Sequence, residues 1–243
     1  MTPATLVTAA QSLARRVGRL RFGGQVAYVY NPLEYAWQAH RQYLERYGRG
    51  PKRVVFLGMN PGPFGMMQTG VPFGEVAAVR DWMGIEAPIE TPRRFHPKRP
   101  IDGFACTRAE VSGRRLWGWV ADRFGSPEAF FSQAFVVNYC PLVFLEAGGR
   151  NLTPDKLPST ELAPLQAACD GHLRQVVSLL SPEWVIGVGA YATKRLQISL
   201  ASTRATGAMP MIGQILHPSP ASPLANRGWA EAADRQLTEL GVF

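Results

Sequence analysis

Cysteine is scarce in this chain of 243 residues. Its three cysteines, Cys106, Cys140 and Cys169, are an odd number and show no C-x-x-C spacing. They can therefore form neither a disulfide framework nor a four-thiolate zinc or iron–sulfur site. Long apolar runs are also missing, since no stretch approaches the ~20 residues of a membrane-spanning helix, and the first residues do not resemble a secretory signal. We therefore expect a cytoplasmic protein with no membrane partner.

Charged residues are also few. They make up 18% of the chain against 46% hydrophobic residues, which excludes an intrinsically disordered chain and a highly charged coiled coil. The length suits an α/β domain with a buried core. Because the sequence has no internal repeat, no low-complexity tract and no dividing linker, we expect a single domain over residues 1–243.

Acidic residues are outnumbered by basic ones, with 18 Asp and Glu against 26 Lys and Arg, a net charge of +8. This balance favours a polyanionic partner, although it also occurs in soluble enzymes that do not contact nucleic acid. Several of the basic residues are clustered. Such clusters are typical of a loop and a neighbouring segment that face phosphates, and equally of a solvated basic surface. The clustered residues are Arg93, Arg94, Lys98 and Arg99, followed by Arg108, Arg114 and Arg115.

What the chain does contain is an alternation of short apolar runs and helical patterns. The runs predict strands buried on both faces, and their alternation with helices predicts an α/β fold with a parallel sheet. The Gly- and Pro-rich segment 60–105 is expected to be a functional loop. The predicted strands are 53–58, 134–138, 184–188 and 211–216, and the predicted helices are 4–18, 32–47, 107–124, 160–180, 190–200 and 226–240.

Polar side chains follow three of these four strands. Asn60 comes after the first, Asn138 ends the second, and His217 follows the fourth. Because ligands bind at the carboxyl ends of parallel strands, two carboxamides and one imidazole are expected to converge there. Taken singly, Asn60 is better explained as a turn residue, and His217 as a core histidine, which is the commoner case for a lone His.

The first of these strand ends lacks the features of a nucleotide-cofactor site. It has neither the G-x-G-x-x-G spacing nor the Lys of a phosphate loop, so we expect no cofactor and no metal. An amide at Asn138 can offer both an acceptor and donors to a planar heterocycle. Phe73, otherwise an ordinary core aromatic, would then serve as a stacking platform.

Three strings of residues together resemble a known family. They are GMNPGPFGM followed by QTGVPFGE over residues 58–75, NYCPL over 138–142 and HPSP over 217–220. They resemble the uracil-DNA glycosylase superfamily, and within it the single-strand-selective monofunctional branch, over about residues 25–240. The resemblance implies a three-layer α/β/α fold with a central four-stranded parallel sheet. It also implies a monomeric, cofactor-free enzyme that excises uracil, and related C5-oxidised uracils such as 5-hydroxymethyluracil, from single- and double-stranded DNA.

The resemblance assigns roles residue by residue. Asn60 matches the asparagine that positions the attacking water, and His217 matches the histidine that supports the O2 side of the departing base. Asn138 matches the amide that reads the uracil edge, and Phe73 matches the stacking ring. The turn from Gly62 to Met66 would lie beside C5 of the base, which makes both residues substrate-binding candidates.

The segment after His217 matches the family's wedge, which penetrates the DNA duplex. Family members often carry Arg-Asn after HPSP, whereas this chain has Ala221 and Ser222, and Met67 stands where a smaller residue is expected. None of the three strings that carry the resemblance contains a Lys that could attack the sugar, so no lyase step is expected. The DNA-binding candidates are Pro218, Ser219, Pro220, Leu224 and Arg227.

Two other functions compete with this one. A non-catalytic nucleic-acid-binding protein could keep the fold and the basic face but lose Asn60 or His217, and both are present. A hydrolase of free nucleosides would fit the pocket but would explain neither the wedge nor the positive charge. Salt separates the hydrolase from the other two, because binding to DNA should weaken steeply as salt rises, whereas binding of a neutral nucleoside should hardly respond.

Overall fold

The computed structural model describes residues 5–201 and 209–243. The first residue of the predicted helix 4–18 lies outside this part of the chain. The helices are α1 (Leu6–Gly18), α2 (Pro32–Tyr35), α3 (Trp37–Tyr47), α4 (Met66–Thr69), α5 (Val111–Phe124), α6 (Pro127–Phe131), α7 (Ser159–Leu180), α8 (Ala190–Ala201) and α9 (Trp229–Glu239). The strands are β1 (Tyr28–Tyr30), β2 (Val54–Gly58), β3 (Ala134–Asn138), β4 (Val143–Leu145), β5 (Asn151–Leu152), β6 (Trp184–Val188) and β7 (Met211–Ile215).

The central sheet has four parallel strands in the order β3-β2-β6-β7. Strand β2 lies inside the sheet, and all five of its residues are buried. This burial on both faces explains why its sequence is a continuous apolar run without polar alternation. Each of the four predicted strands is confirmed to within one residue at either end, as is the parallel sheet.

Helices cover both faces of this sheet. Helix α5 packs against α6 and α9, whereas α7 packs against α1 and α8. The connection from β2 to β3 and the connection from β6 to β7 run in opposite directions across the sheet. Right-handed crossovers therefore place α5 and α8 on opposite faces. The predicted three-layer α/β/α architecture is thereby confirmed.

Several predicted boundaries were wrong for local reasons. The helix expected over 32–47 is two helices, because Ala36 leaves the helical conformation with φ −106° and ψ 23°. The helix expected from 226 begins at Trp229, because Gly228 has φ 122°. The helix expected from 107 begins at Val111. A second, antiparallel sheet in the order β1-β4-β5 was not predicted, since its strands have only two or three residues.

The three cysteines are free and buried. No helix in the described part of the chain is long and apolar enough to cross a membrane.

Candidate active site

A cavity of about 380 Å³ opens at the carboxyl ends of the parallel strands β2, β3 and β7. It brings together most of the side chains that the sequence singled out, although they are far apart along the chain. Three predicted DNA-binding residues, Pro218, Leu224 and Arg227, do not line it. The predicted residues that do are Asn60, Gly62, Met66, Phe73, Asn138, His217, Ser219 and Pro220.

Asn60 lies two residues beyond the end of β2. The pairing of β2 with β3 continues past the ends of both strands, where the amide of Cys140 donates to the carbonyl oxygen of Met59 at 2.9 Å. Asn60 Nδ2 donates to the carbonyl oxygen of Leu142 at 3.4 Å. With its nitrogen engaged in this way, the side chain offers its oxygen as an acceptor to a molecule in the cavity.

Asn138 ends β3 directly beside Gly58, its partner in the sheet register. A Cβ at position 58 would collide with Asn138 Oδ1 and would stand 2.6 Å from the Phe73 ring, so only glycine allows this approach. Asn138 Nδ2 donates to the sulfur of Met66 at 3.2 Å. Its Oδ1 is buried and has no hydrogen-bond partner among the described residues. A buried acceptor left unpaired is costly, which points to a ligand that donates to it.

Phe73 has a backbone conformation that is rare for a side chain of its size. Its φ is 54°, in the left-handed region that favours glycine. Neighbouring groups hold it there, since Trp117 Nε1 donates to the carbonyl oxygen of Pro72 at 3.3 Å and the amide of Gly74 donates to Val71 at 2.8 Å. Such strain costs on the order of 1–3 kcal/mol and collects at functional sites. The backbone conformation of Phe73 directs its half-buried aromatic ring into the cavity.

His217 follows β7 and packs against Gly189, at the end of the neighbouring strand β6. A Cβ at Gly189 would stand 3.0 Å from the Cβ of His217, and Gly189 itself has φ 89°. Burial lowers the pKa of the His217 imidazole, so the ring is neutral at physiological pH. The ring centroid lies 6.2 Å from that of Phe73. A neutral ring has one N–H to donate, and no residue of the described ranges takes it up.

The loop after His217 is tied down at several points. Arg115, on α5, donates to the carbonyl oxygens of Pro218 at 3.1 Å and Ser219 at 3.3 Å. Asn226 Nδ2 donates to the carbonyl oxygen of Pro220 at 3.0 Å. At the outer surface of this loop, Leu224 is 61% exposed. The loop is fixed by hydrogen bonds where it begins and carries an exposed apolar side chain farther along. This combination fits a segment that is pressed against a partner.

Three of the clustered arginines contact segments that also line the cavity. Arg99 and Arg108 lie over the Phe64 ring, at 5.5 Å and 4.0 Å from its centroid. Phe64 stands between Pro63 and Gly65, which both line the cavity, so the two guanidinium groups lie over a residue between two lining positions. The sequence grouped Arg115 with the same phosphate-facing flank. Its guanidinium hydrogen-bonds to the loop after His217.

Four lining residues outside the motifs quoted from the sequence were missed by sequence reasoning. Asn151 is the first residue of the short strand β5, and its Oδ1 is buried without a partner in the described ranges. These positions were missed because only the ends of long apolar strands were searched. Met67, by contrast, is fully buried among Tyr30, Tyr35 and Val143, outside the cavity lining. The missed residues are Glu110, Ser112, Asn151 and Thr153.

No group of three or more His, Cys, Asp or Glu residues that could hold a metal ion occurs in the described part of the chain. The side chains that line the cavity include amides, an imidazole, one carboxylate and an aromatic ring. Such a set can bind a planar polar heterocycle and hold a water molecule.

Comparisons with known proteins identify the family of this chain. The chain is 51% identical over 227 residues to the single-strand selective monofunctional uracil DNA glycosylase of Bos taurus, covering 93% of this chain and 82% of the relative. It is 49% identical over 233 residues to the Mus musculus protein of the same name, covering 95% and 82%. Its fold resembles the crystal structure of wild-type SMUG2 from Pedobacter heparinus, with a TM-score of 0.64, 19% identity and coverage of 96% and 97%. Residues 45–236 match the model of the uracil DNA glycosylase superfamily. The chain belongs to the uracil-DNA glycosylase superfamily.

Proposed function

We propose that this protein is a monofunctional DNA glycosylase that removes uracil from DNA and leaves an abasic site. The observation that carries the proposal is the unpaired, buried amide oxygen of Asn138, which lies in the same cavity as Asn60, Phe73 and His217. The relatives that share about half of its residues are named as glycosylases of this kind.

The cavity selects uracil by its hydrogen-bonding edge. A flipped base stacks on Phe73 and presents its N3–H and O4 to Asn138. The amide oxygen then accepts from N3–H, and the amide nitrogen donates to O4. Cytosine has no hydrogen on N3 and carries a donor at position 4, so it would leave both atoms of the amide mispaired.

Bond cleavage separates two charges, because the sugar gains oxocarbenium character while negative charge grows on the base. The N–H of neutral His217 donates to O2 as that charge develops, and a donor fixed in this way typically contributes about 3–4 kcal/mol. The oxygen of Asn60 holds a water molecule against the sugar carbon. Since no lysine lines the cavity in the described part of the chain, water is the nucleophile and the enzyme is monofunctional.

The surroundings of the cavity fit single- and double-stranded DNA. Arg99 and Arg108 contact phosphates at its mouth, and Leu224 enters the space that an extruded base leaves in a duplex. Extrusion costs a few kcal/mol, least in single strands. 5-Hydroxymethyluracil and related C5-oxidised uracils are further substrates, with the C5 side of the base against the turn from Gly62 to Met66.

A strand-nicking assay tests the function. Oligonucleotides with one uracil are incubated with the protein and then analysed with and without hot alkali. We expect nicks only after alkali, because base removal alone leaves the backbone intact. Nicks without alkali would indicate a lyase, and intact strands that still bind would indicate a non-catalytic DNA-binding protein. Release of uracil from free deoxyuridine at the same rate would indicate a nucleoside hydrolase.

A further inference from the structure

Glu110 has no part in the steps described above, although it is the one carboxylate among the lining residues given by the structure. It immediately precedes helix α5. A carboxylate stands out in a pocket that binds a polyanion and stabilises an anionic leaving group, because its negative charge opposes both. Its presence there calls for a specific contact.

The Glu110 side chain packs directly on the glycine turn of the cavity wall. A Cβ at Gly62 would collide with Glu110 Oε2, and a Cβ at Gly65 would stand 2.9 Å from its Cγ. The side chain therefore occupies the space that larger residues at both positions would need.

The carboxylate is held by backbone groups and by burial. The amide groups of Phe64 and Ser112 favour its charged form, whereas burial, the larger effect, raises its pKa. The charge of Glu75 raises it further. Ser112 is itself buried. The carboxylate is thus held by backbone groups on two sides, and its residue lines the cavity.

The position of this turn follows from how the base is held. Asn138 faces N3 and O4, and His217 faces O2. In the pyrimidine ring C5 is opposite C2, so C5 points away from His217. Met66, which accepts from Asn138 Nδ2 at 3.2 Å, is on that side and directly follows Gly65. The glycine turn and the carboxylate packed on it therefore face C5.

We propose that Glu110 determines which 5-substituted uracils the cavity accepts. Its carboxylate accepts a hydrogen bond from a donor on C5, such as the hydroxyl of a hydroxymethyl group, directly or through one water molecule. An alkyl group at C5 offers no donor and leaves the buried carboxylate less solvated, which disfavours it. The inference rests on the proposed function, because it takes the base orientation from Asn138 and His217.

Two substitutions separate hydrogen bonding from packing. Glu110→Met keeps the length of the side chain and removes both acceptors, and Glu110→Gln keeps one acceptor. Glu128→Ala is the matched control, since Glu128 is an exposed carboxylate in the first turn of helix α6 and lies outside the cavity lining. Each variant is tested by single-turnover and steady-state excision from oligonucleotides with uracil or 5-hydroxymethyluracil.

The ratio of kcat/KM for 5-hydroxymethyluracil to that for uracil is the readout. We expect it to fall roughly tenfold in Glu110→Met, the effect of one hydrogen bond to a charged group, mainly through KM. It should fall less in Glu110→Gln and stay constant in Glu128→Ala. Equal losses on both substrates would overturn the proposal, because a purely structural brace would not change the ratio.

A measurement on the unmodified protein covers the case in which Glu110→Met does not fold. The 5-ethyl group has nearly the size of the 5-hydroxymethyl group but no hydroxyl. We expect the protein to excise 5-hydroxymethyluracil at least about tenfold faster than 5-ethyluracil, and equal rates would overturn the proposal. If the protein excised no uracil at all, the proposed function itself would be refuted. The comparison therefore separates failure of this inference from failure of the proposed function.

Discussion

Arg115 Nη1 donates to the carbonyl oxygen of Pro218 at 3.1 Å and so joins helix α5 to the residue that directly follows His217. The same guanidinium reaches the carbonyl oxygen of Ser219 at 3.3 Å and Asn226 Oδ1 at 2.8 Å. A single basic side chain thus fixes the loop that begins at the imidazole and leads to Leu224.

Arg115→Met should therefore impair catalysis through the loop. Hydrogen bonds from a charged donor contribute about 1.5–3 kcal/mol each, so we expect kcat/KM for uracil excision to fall at least tenfold. Arg115→Lys should recover only part of the lost kcat/KM, because an ammonium group cannot reproduce the forked donor geometry of a guanidinium group. Arg114→Met, at the exposed neighbouring position, removes the same charge as a control. Full recovery with lysine would mean that charge alone matters.

Asn60→Ala tests the water-holding role. Excision of uracil under single-turnover conditions should fall roughly 100-fold or more, the usual loss when a group that handles the nucleophile is removed. Binding to uracil-containing DNA, measured by fluorescence anisotropy, should change little because Asn60 faces the sugar. Activity close to that of the unmodified protein would exclude Asn60 from this role.

Asn138→Asp should change base preference. The acid exchanges a donor for an acceptor, so it loses the contact to O4 of uracil and gains one to the amino group of cytosine. We expect uracil excision to fall roughly 10- to 100-fold and the ratio of cytosine to uracil excision to rise. Matched oligonucleotides that differ only in the target base provide the measurement. An unchanged ratio would contradict the assignment of this amide to the pyrimidine edge.

Leu224→Ala tests the exposed side chain of the loop. Because only a duplex needs its gap filled, the ratio of duplex to single-strand excision should fall, by roughly tenfold. Ile198→Ala, which truncates a 47% exposed side chain on helix α8, is the control. Equal losses on both substrates would argue against a wedge at this position.

Acid should destabilise the fold through two buried histidines. Burial lowers the pKa of His40 and of His172 to about 4, against 6.5 for the unfolded chain. The unfolded state therefore binds protons first, so stability is complete above about pH 6.5 and falls as the pH drops towards 4. With two such groups the slope reaches about 2.7 kcal/mol per pH unit. Urea unfolding at several pH values measures it, and His40→Asn should flatten the curve. Parallel curves would contradict this cause.

Much of the main sheet followed from local patterns. Runs such as 184–188 are continuous and β-branched, and only burial on both faces favours such a composition. The helix boundaries were less accurate, because Ala36 and Gly228 interrupt the chain through backbone conformations that hydrophobic periodicity does not reveal. The small sheet was invisible for a different reason, since strand β5 has only two residues and depends on its pairing with β4.

The sequence by itself determined which polar side chains stand at the ends of the parallel strands. Asn60, Asn138 and His217 follow apolar runs, and parallel strands bring their carboxyl ends to one edge by necessity. Only the tertiary structure decided which groups surround them. Glu110 meets the glycine turn, and Arg115 meets the loop after His217, because α5 packs against elements distant in the chain. Contacts of this kind depend on how helices pack in three dimensions, which no spacing along the sequence encodes.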